Sequence, residues 1–209
     1  MTREEALKAL LVGVERAEAA TAAGVDVIAA GDMGIGNTTP AAALASVFTG
    51  RPVAAVTGRG TGIEEQVLRH KVAVINRALA RHRPSPEDPL GALAAVGGLE
   101  IAGIAGLILG CAAARRPLLL DGFIAAAGAL VAVALAPAAA DYLIASHRSV
   151  EPGHQTVLDF LGLKPLLNLN LRLGEGTGAA LGMLLLEAGL KIYREMATFD
   201  EAGVSEKEE

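Results

Sequence analysis

The sequence predicts an α/β fold in which a mostly parallel sheet is covered by helices on both faces. Three observations carry that prediction. Short apolar runs alternate with segments of helical periodicity along the 209 residues; a polar or glycine-rich segment follows each run; and the core material is aliphatic, with 52% hydrophobic residues of which few are aromatic, plus 25 glycines. An average domain is roughly 45–50% apolar even with glycine counted. Disorder is therefore excluded, and small side chains must pack at short distances. Strands buried on both faces read as unbroken apolar runs. In such sheets ligands gather beyond the carboxyl ends of the strands, as in a three-layer, Rossmann-like arrangement.

The elements follow in order. Thr2 and Glu5 form a capping box, and Ala6, Leu7, Leu10, Val14 and Ala17 recur at helical spacing before Gly24 stops the helix. Residues 25–30 read as a buried strand, 31–39 as a loop, and Pro40 suits the first turn of a helix that ends at Gly50. The apolar run 52–56, counted with the strands, leads into Gly58-Arg59-Gly60-Thr61-Gly62 and an amphipathic helix from about 63 to 81. Residues 83–89, rich in proline, form a surface connection. A helical pair broken at Gly97-Gly98 precedes a strand at 117–120, a turn at Asp121-Gly122 and another helix. Further strands are expected at 142–145, closed by Ser146-His147-Arg148-Ser149, and at 165–169; the loop 173–178 then opens a long helix to about 197. One domain over 1–204 and an acidic tail over 205–209 result.

A net charge of −5 with no basic run argues against a nucleic-acid partner. A lone cysteine cannot form an internal disulfide, and the first residues lack the basic-then-apolar pattern of a secretory leader, so a cytoplasmic location is expected. The uncharged run 122–140 is long enough to span a bilayer. It is mostly Ala and Gly, contains Pro137 and is bracketed by Asp121 and Asp141, so it is expected to be a packed helix and no membrane association follows. His70, His82, His147 and His154 have neither i, i+4 partners nor adjacent cysteines, so no metal centre is expected. No Gly-x-Ser-x-Gly turn is present, and Cys111 reads as packing.

Two segments stand out chemically. Residues 31–39 are nearly a P-loop: Gly31 and Gly36 are correctly spaced and Thr38 occupies the hydroxyl position, but Asn37 replaces the lysine. Exposed amides with Asn37, Thr38 and Thr39 at a helix start suit a phosphate monoester; the alternative is a tight turn that needs positive φ at two glycines. Glu175, between Gly174 and Gly176 with Thr177 behind, would be an unobstructed carboxylate, and burial there would raise its pKa and make it a competent base; the alternative is an acid placed favourably near a helix N-terminus. Asp121 is a ligand contact or an N-cap, Asp32 a second acid or a turn former, Lys71 a phosphate ligand or a solvated residue, and His147-Arg148 an anion site or structural.

Segments 31–39, 58–62, 96–101, 120–124, 146–154 and 171–178 together, in that order, resemble the nicotinate-nucleotide:dimethylbenzimidazole phosphoribosyltransferase family of cobalamin lower-ligand synthesis. The resemblance implies transfer of phosphoribose from nicotinate mononucleotide to 5,6-dimethylbenzimidazole, no cofactor, and a homodimer. It makes Glu175 the general base and places Asp32, Gly34, Gly36, Asn37, Thr38, Thr39, Lys71, Asp121, Gly122, Ser146, Gly174 and Gly176 in the nucleotide and phosphate site. The family has Glu where this chain has Asp32. It also implies a segment ahead of the part matching Met1, which lines the benzimidazole pocket and the dimer interface. An inactive phosphoribosyl-nucleotide binding module is the competing expectation.

Overall fold

The computed structural model describes residues 1–60 and 62–204, so Thr61 and the acidic tail expected at 205–209 lie outside the described residues. The element order is α1 (Arg3–Ala22), β1 (Ile28–Ala30), α2 (Thr38–Thr49), α3 (Val53–Val56), α4 (Glu65–His82), α5 (Pro89–Val96), α6 (Leu99–Ala113), β2 (Leu118–Leu120), α7 (Gly122–Leu135), a 3-10 turn (Pro137–Tyr142), β3 (Leu143–Ala145), β4 (His147–Ser149), α8 (Pro152–Leu161), β5 (Leu167–Leu171) and α9 (Thr177–Glu195).

All strand pairing is parallel, in two small sheets ordered β1-β2-β3 and β4-β5. Ser146 joins them: its N–H donates to Leu120 O and its carbonyl accepts from Leu167 N–H, so the second sheet continues the line of the first. The register Ala30–Leu120–Ala145 aligns the carboxyl ends of three strands along one edge. Helices cover both faces, and β2 shows why. All three of its leucines are buried; Leu118 and Leu120 join the main helical core, whereas Leu119 meets the Cα of Gly182 on α9.

Three expectations are corrected. The run 52–56 folds as the short helix α3, because Val53 and Val56 both face the core, as one helical turn permits. Segment 146–149 is strand β4 instead of a closing loop, since it finds a parallel partner in β5. The last strand is displaced to Leu167–Leu171, and α8 occupies the segment between β4 and β5.

The capping box at Thr2 and Glu5 is present on both sides. The small residues have a defined use: α1 and α6 approach backbone to backbone. A Cβ on Gly13 would overlap the Gly103 carbonyl, one on Gly106 the Leu10 carbonyl, and one on Gly110 the Ala17 methyl. In α7, every residue from Gly122 to Ala132 is buried. That helix has 14 residues, about 21 Å, and no helix among the described residues is long and apolar enough to cross a membrane. By contrast, α9 packs through Gly178, Ala179 and Gly182, and from Glu187 onward its residues are exposed, Ile192 and Tyr193 among them.

Candidate functional site

Loops after β1, β2, β4 and β5 meet at the carboxyl edge and enclose a cleft in two adjoining chambers. The larger, about 540 Å³, is lined by Asp32, Thr38, Gly122, Glu151, Arg172 and Glu175 among others. The smaller, about 340 Å³, is lined by Gly36, Thr39, Arg59, His70 and Lys71. Gly34, Ile35, Thr38 and Gly60 border both.

The half that carries hydroxyls and an ammonium is built at the start of α2. Gly36 has φ +80°, which turns the chain so that Thr38 and Thr39 begin the helix with no side-chain cap on its first amides. Lys71 reaches in from α4: its Nζ donates to Thr38 Oγ1 at 2.7 Å and to Gly58 O at 3.2 Å. The solvated alternative for Lys71 is set aside by this geometry. Burial pushes its pKa down from the ordinary lysine value, and the nearby Glu151 charge pushes it back up. Asn37 serves the loop itself. Its Nδ2 donates to the Asp32 carboxylate and to Met33 O, which holds the turn closed.

The carboxylate half is the loop before α9. Gly174, Glu175 and Gly176 all have positive φ, Glu175 at +58°, a conformation that disfavours side-chain-bearing residues. Tertiary contacts hold it there. Glu175 N–H donates to Asp32 O, and a Cβ on Gly31 would overlap the backbone of Gly176. Asp121, whose side chain is fully buried, accepts from Gly176 N–H at 2.9 Å and from Ala179 N–H at 3.0 Å. Asp121 therefore caps α9, a helix 55 residues further along the chain, instead of its own helix α7. Glu175 itself is exposed at the cleft mouth, where the sequence suggests a buried or half-buried carboxylate.

Ser146 is fully buried and its hydroxyl donates to Leu120 O at 2.6 Å, which braces the sheet junction. Gly176 is tied through its backbone N–H to Asp121. His147 borders the larger chamber and lies buried with its Nε2 3.6 Å from Asp121 Oδ1, and its ring meets His154 edge-on at 6.0 Å. His154 accepts from Ser149 N–H, and burial, aided by the neighbouring His147 and Arg148, pushes its pKa down to about 3. Cys111 is buried and its thiol is pushed up to about 11 by desolvation, as a packing residue would be.

Sequence reasoning missed Ser149, Glu151, Arg172, Arg59 and His70 as cleft residues. Glu151 was accessible in principle: an acid ahead of Pro152, just past a strand, obeys the same strand-end rule that pointed to Glu175. Arg172 Nη2 donates to Gly60 O, which ties the last loop to the second.

This is a strand-end α/β protein whose cleft has one half lined by helix-start hydroxyls and a lysine ammonium and another lined by carboxylates. The family model described as phosphoribosyltransferase matches residues 1–204. Two curated relatives, both called nicotinate-nucleotide–dimethylbenzimidazole phosphoribosyltransferase, are those of Geobacter sulfurreducens, 60% identical over 99% of this chain and 58% of the relative, and Chloroflexus aggregans, 59% identical over 100% of this chain and 59% of the relative. A crystal structure of CobT from Thermus thermophilus superposes with TM-score 0.93 at 55% identity, over 99% of this chain and 62% of that one. The chain belongs to the nicotinate-nucleotide–dimethylbenzimidazole phosphoribosyltransferase family. It spans about three fifths of the length of these curated relatives.

Proposed function

We propose that this cleft transfers 5-phosphoribose from nicotinate mononucleotide to 5,6-dimethylbenzimidazole, giving α-ribazole 5′-phosphate and nicotinate for the lower ligand of cobalamin. The observation that carries it is the sharing of one cleft by the Thr38/Thr39–Lys71 group and Glu175. The 5′-phosphate would lie at the start of α2, where free amides, hydroxyls and an ammonium favour an anion. That leaves the sugar C1′ toward Glu175. Nicotinate departs from a pyridinium nitrogen, so departure neutralises the leaving group and needs no acid. The attacking benzimidazole nitrogen gains positive charge as it bonds to C1′, and Glu175 takes the proton from the other ring nitrogen. Attack opposite the departing ring gives the α product. Asp32, hydrogen-bonded to Asn37, would stand as the second acid of the azole side, one methylene shorter than the family's usual Glu.

We place the working enzyme in the cytoplasm as a homodimer; sedimentation of the purified protein as a monomer would remove the second part. The transfer is tested by chromatographic detection of nicotinate released only when dimethylbenzimidazole is present. Glu175→Gln should slow release by about 10²–10⁴-fold, the usual contribution of a positioned base, while binding of nicotinate mononucleotide is kept. Undiminished turnover in that variant would overturn the assigned base. Absence of azole-dependent release from the native protein would overturn the transfer.

A further inference from the structure

Glu151 stands at the N-cap of α8, yet its carboxylate accepts no bond from that helix. Its Oε2 is buried without a hydrogen-bond partner, an arrangement that costs free energy unless a nearby charge offsets it. Gly58 identifies that charge. A Cβ on Gly58 would overlap the Glu151 carboxylate and the Pro152 ring, and the carbonyl of the same glycine accepts from Lys71 Nζ. Carboxylate and ammonium, delivered by α4 and the start of α8 from distant parts of the sequence, thus meet at one residue that must lack a side chain. Both hydrogen bonds made by Lys71 go to neutral oxygens, on Thr38 and Gly58.

We propose that Glu151 is a positioning residue acting through Lys71: seated on Gly58, its carboxylate keeps a half-buried ammonium charged and fixed at Thr38, ready for an incoming phosphate. The proposal rests on the reading of this cleft as a phosphoribosyl-nucleotide site. The direction of the Lys71 shift agrees, since burial lowers it and Glu151 opposes that. The helices packed on α4, namely α2, α3 and α5, contain no charged side chain. Other charged or titratable groups bordering the cleft here are Arg59 and His70 beside Lys71, with Asp32, Arg172 and Glu175 in the larger chamber.

Competitive acetylation across a pH series, read by mass spectrometry, gives the titration midpoint of Lys71 with Lys8, Lys164 and Lys191 as internal controls. Glu151→Gln should lower that midpoint, the effect of losing a nearby opposite charge, and Glu151→Asp should keep it near the native value. Calorimetric titration with nicotinate mononucleotide across the same pH series should show the alkaline loss of affinity moving to lower pH in step with that midpoint. An unmoved Lys71 midpoint in Glu151→Gln overturns the pairing. A moved midpoint with an unchanged pH profile of nucleotide affinity overturns its bearing on phosphate. Native protein that fails to bind the nucleotide counts against the proposed function instead, and the acetylation result still decides the pairing.

Discussion

Glu175 sits where a carboxylate is useful and where its backbone is strained. A residue with a Cβ at φ +58° costs on the order of 1–2 kcal/mol relative to glycine, and the loop endures because Asp121, Asp32 and Gly31 over-determine it. Two outcomes follow at this scale. Glu175→Gly should raise stability by up to about 1 kcal/mol in urea unfolding while abolishing transfer; the relief of strain is partly offset by the freer unfolded chain. Asp121→Asn should destabilise by about 1–3 kcal/mol, because a carboxylate accepting two buried N–H groups is replaced by an amide with one acceptor oxygen. An unaltered unfolding midpoint in that variant would remove Asp121 as the anchor of the loop.

At the scale of elements, the seam between α1 and α6 explains the glycine content better than the loops alone do. Gly106→Ala decides between two opposing effects. Alanine gains about 1 kcal/mol of helix propensity over glycine, whereas overpacking costs about 1–3 kcal/mol. The added Cβ would meet the Leu10 backbone carbonyl, which cannot rotate away, so overpacking should win and the thermal midpoint should fall. A rise would show that the two helices separate freely. The same seam could not be read from sequence: Gly13, Gly103, Gly106 and Gly110 were legible as small, but only the crossing of two helices shows which backbone each one admits. Helix starts fared better, because Thr2/Glu5 and Pro40 act through local hydrogen bonding and a fixed φ. The run 52–56 misled because four apolar residues fit a strand or a single helical turn equally well.

For the whole molecule, the pH response follows from the buried imidazoles. His154, held down to about 3, stays neutral in the folded protein over most of the acid range, and burial lowers His147 in the same direction. Unfolding returns both to the ordinary value near 6.5, so below that pH the unfolded chain binds more protons. Stability should therefore be steady above about pH 6.5 and decline at lower pH, for His154 down to about 3, by up to about 1.4 kcal/mol per pH unit, with His147 adding in the same direction. His154→Asn, whose amide oxygen can accept from Ser149 N–H in place of the ring nitrogen, should flatten that slope in urea unfolding at pH 7, 6 and 5. An equally steep slope in the variant would place the acid sensitivity elsewhere.

What the sequence determined by itself was the alternation of elements, the edge of the sheet where the cleft opens, and the segments around Thr38, Lys71 and Glu175 that line it. Each depends on local composition: apolar period, helix-start chemistry, and glycine beside a polar residue. Tertiary structure decided the rest. It turned Asp121 from a local cap into the anchor of a loop 55 residues away, withdrew Ser146 into the sheet junction, divided the strands between two sheets, and brought Glu151 to Lys71 across Gly58. Those roles depend on which backbones come close in space, and a linear pattern carries no distance between segments that meet only after folding.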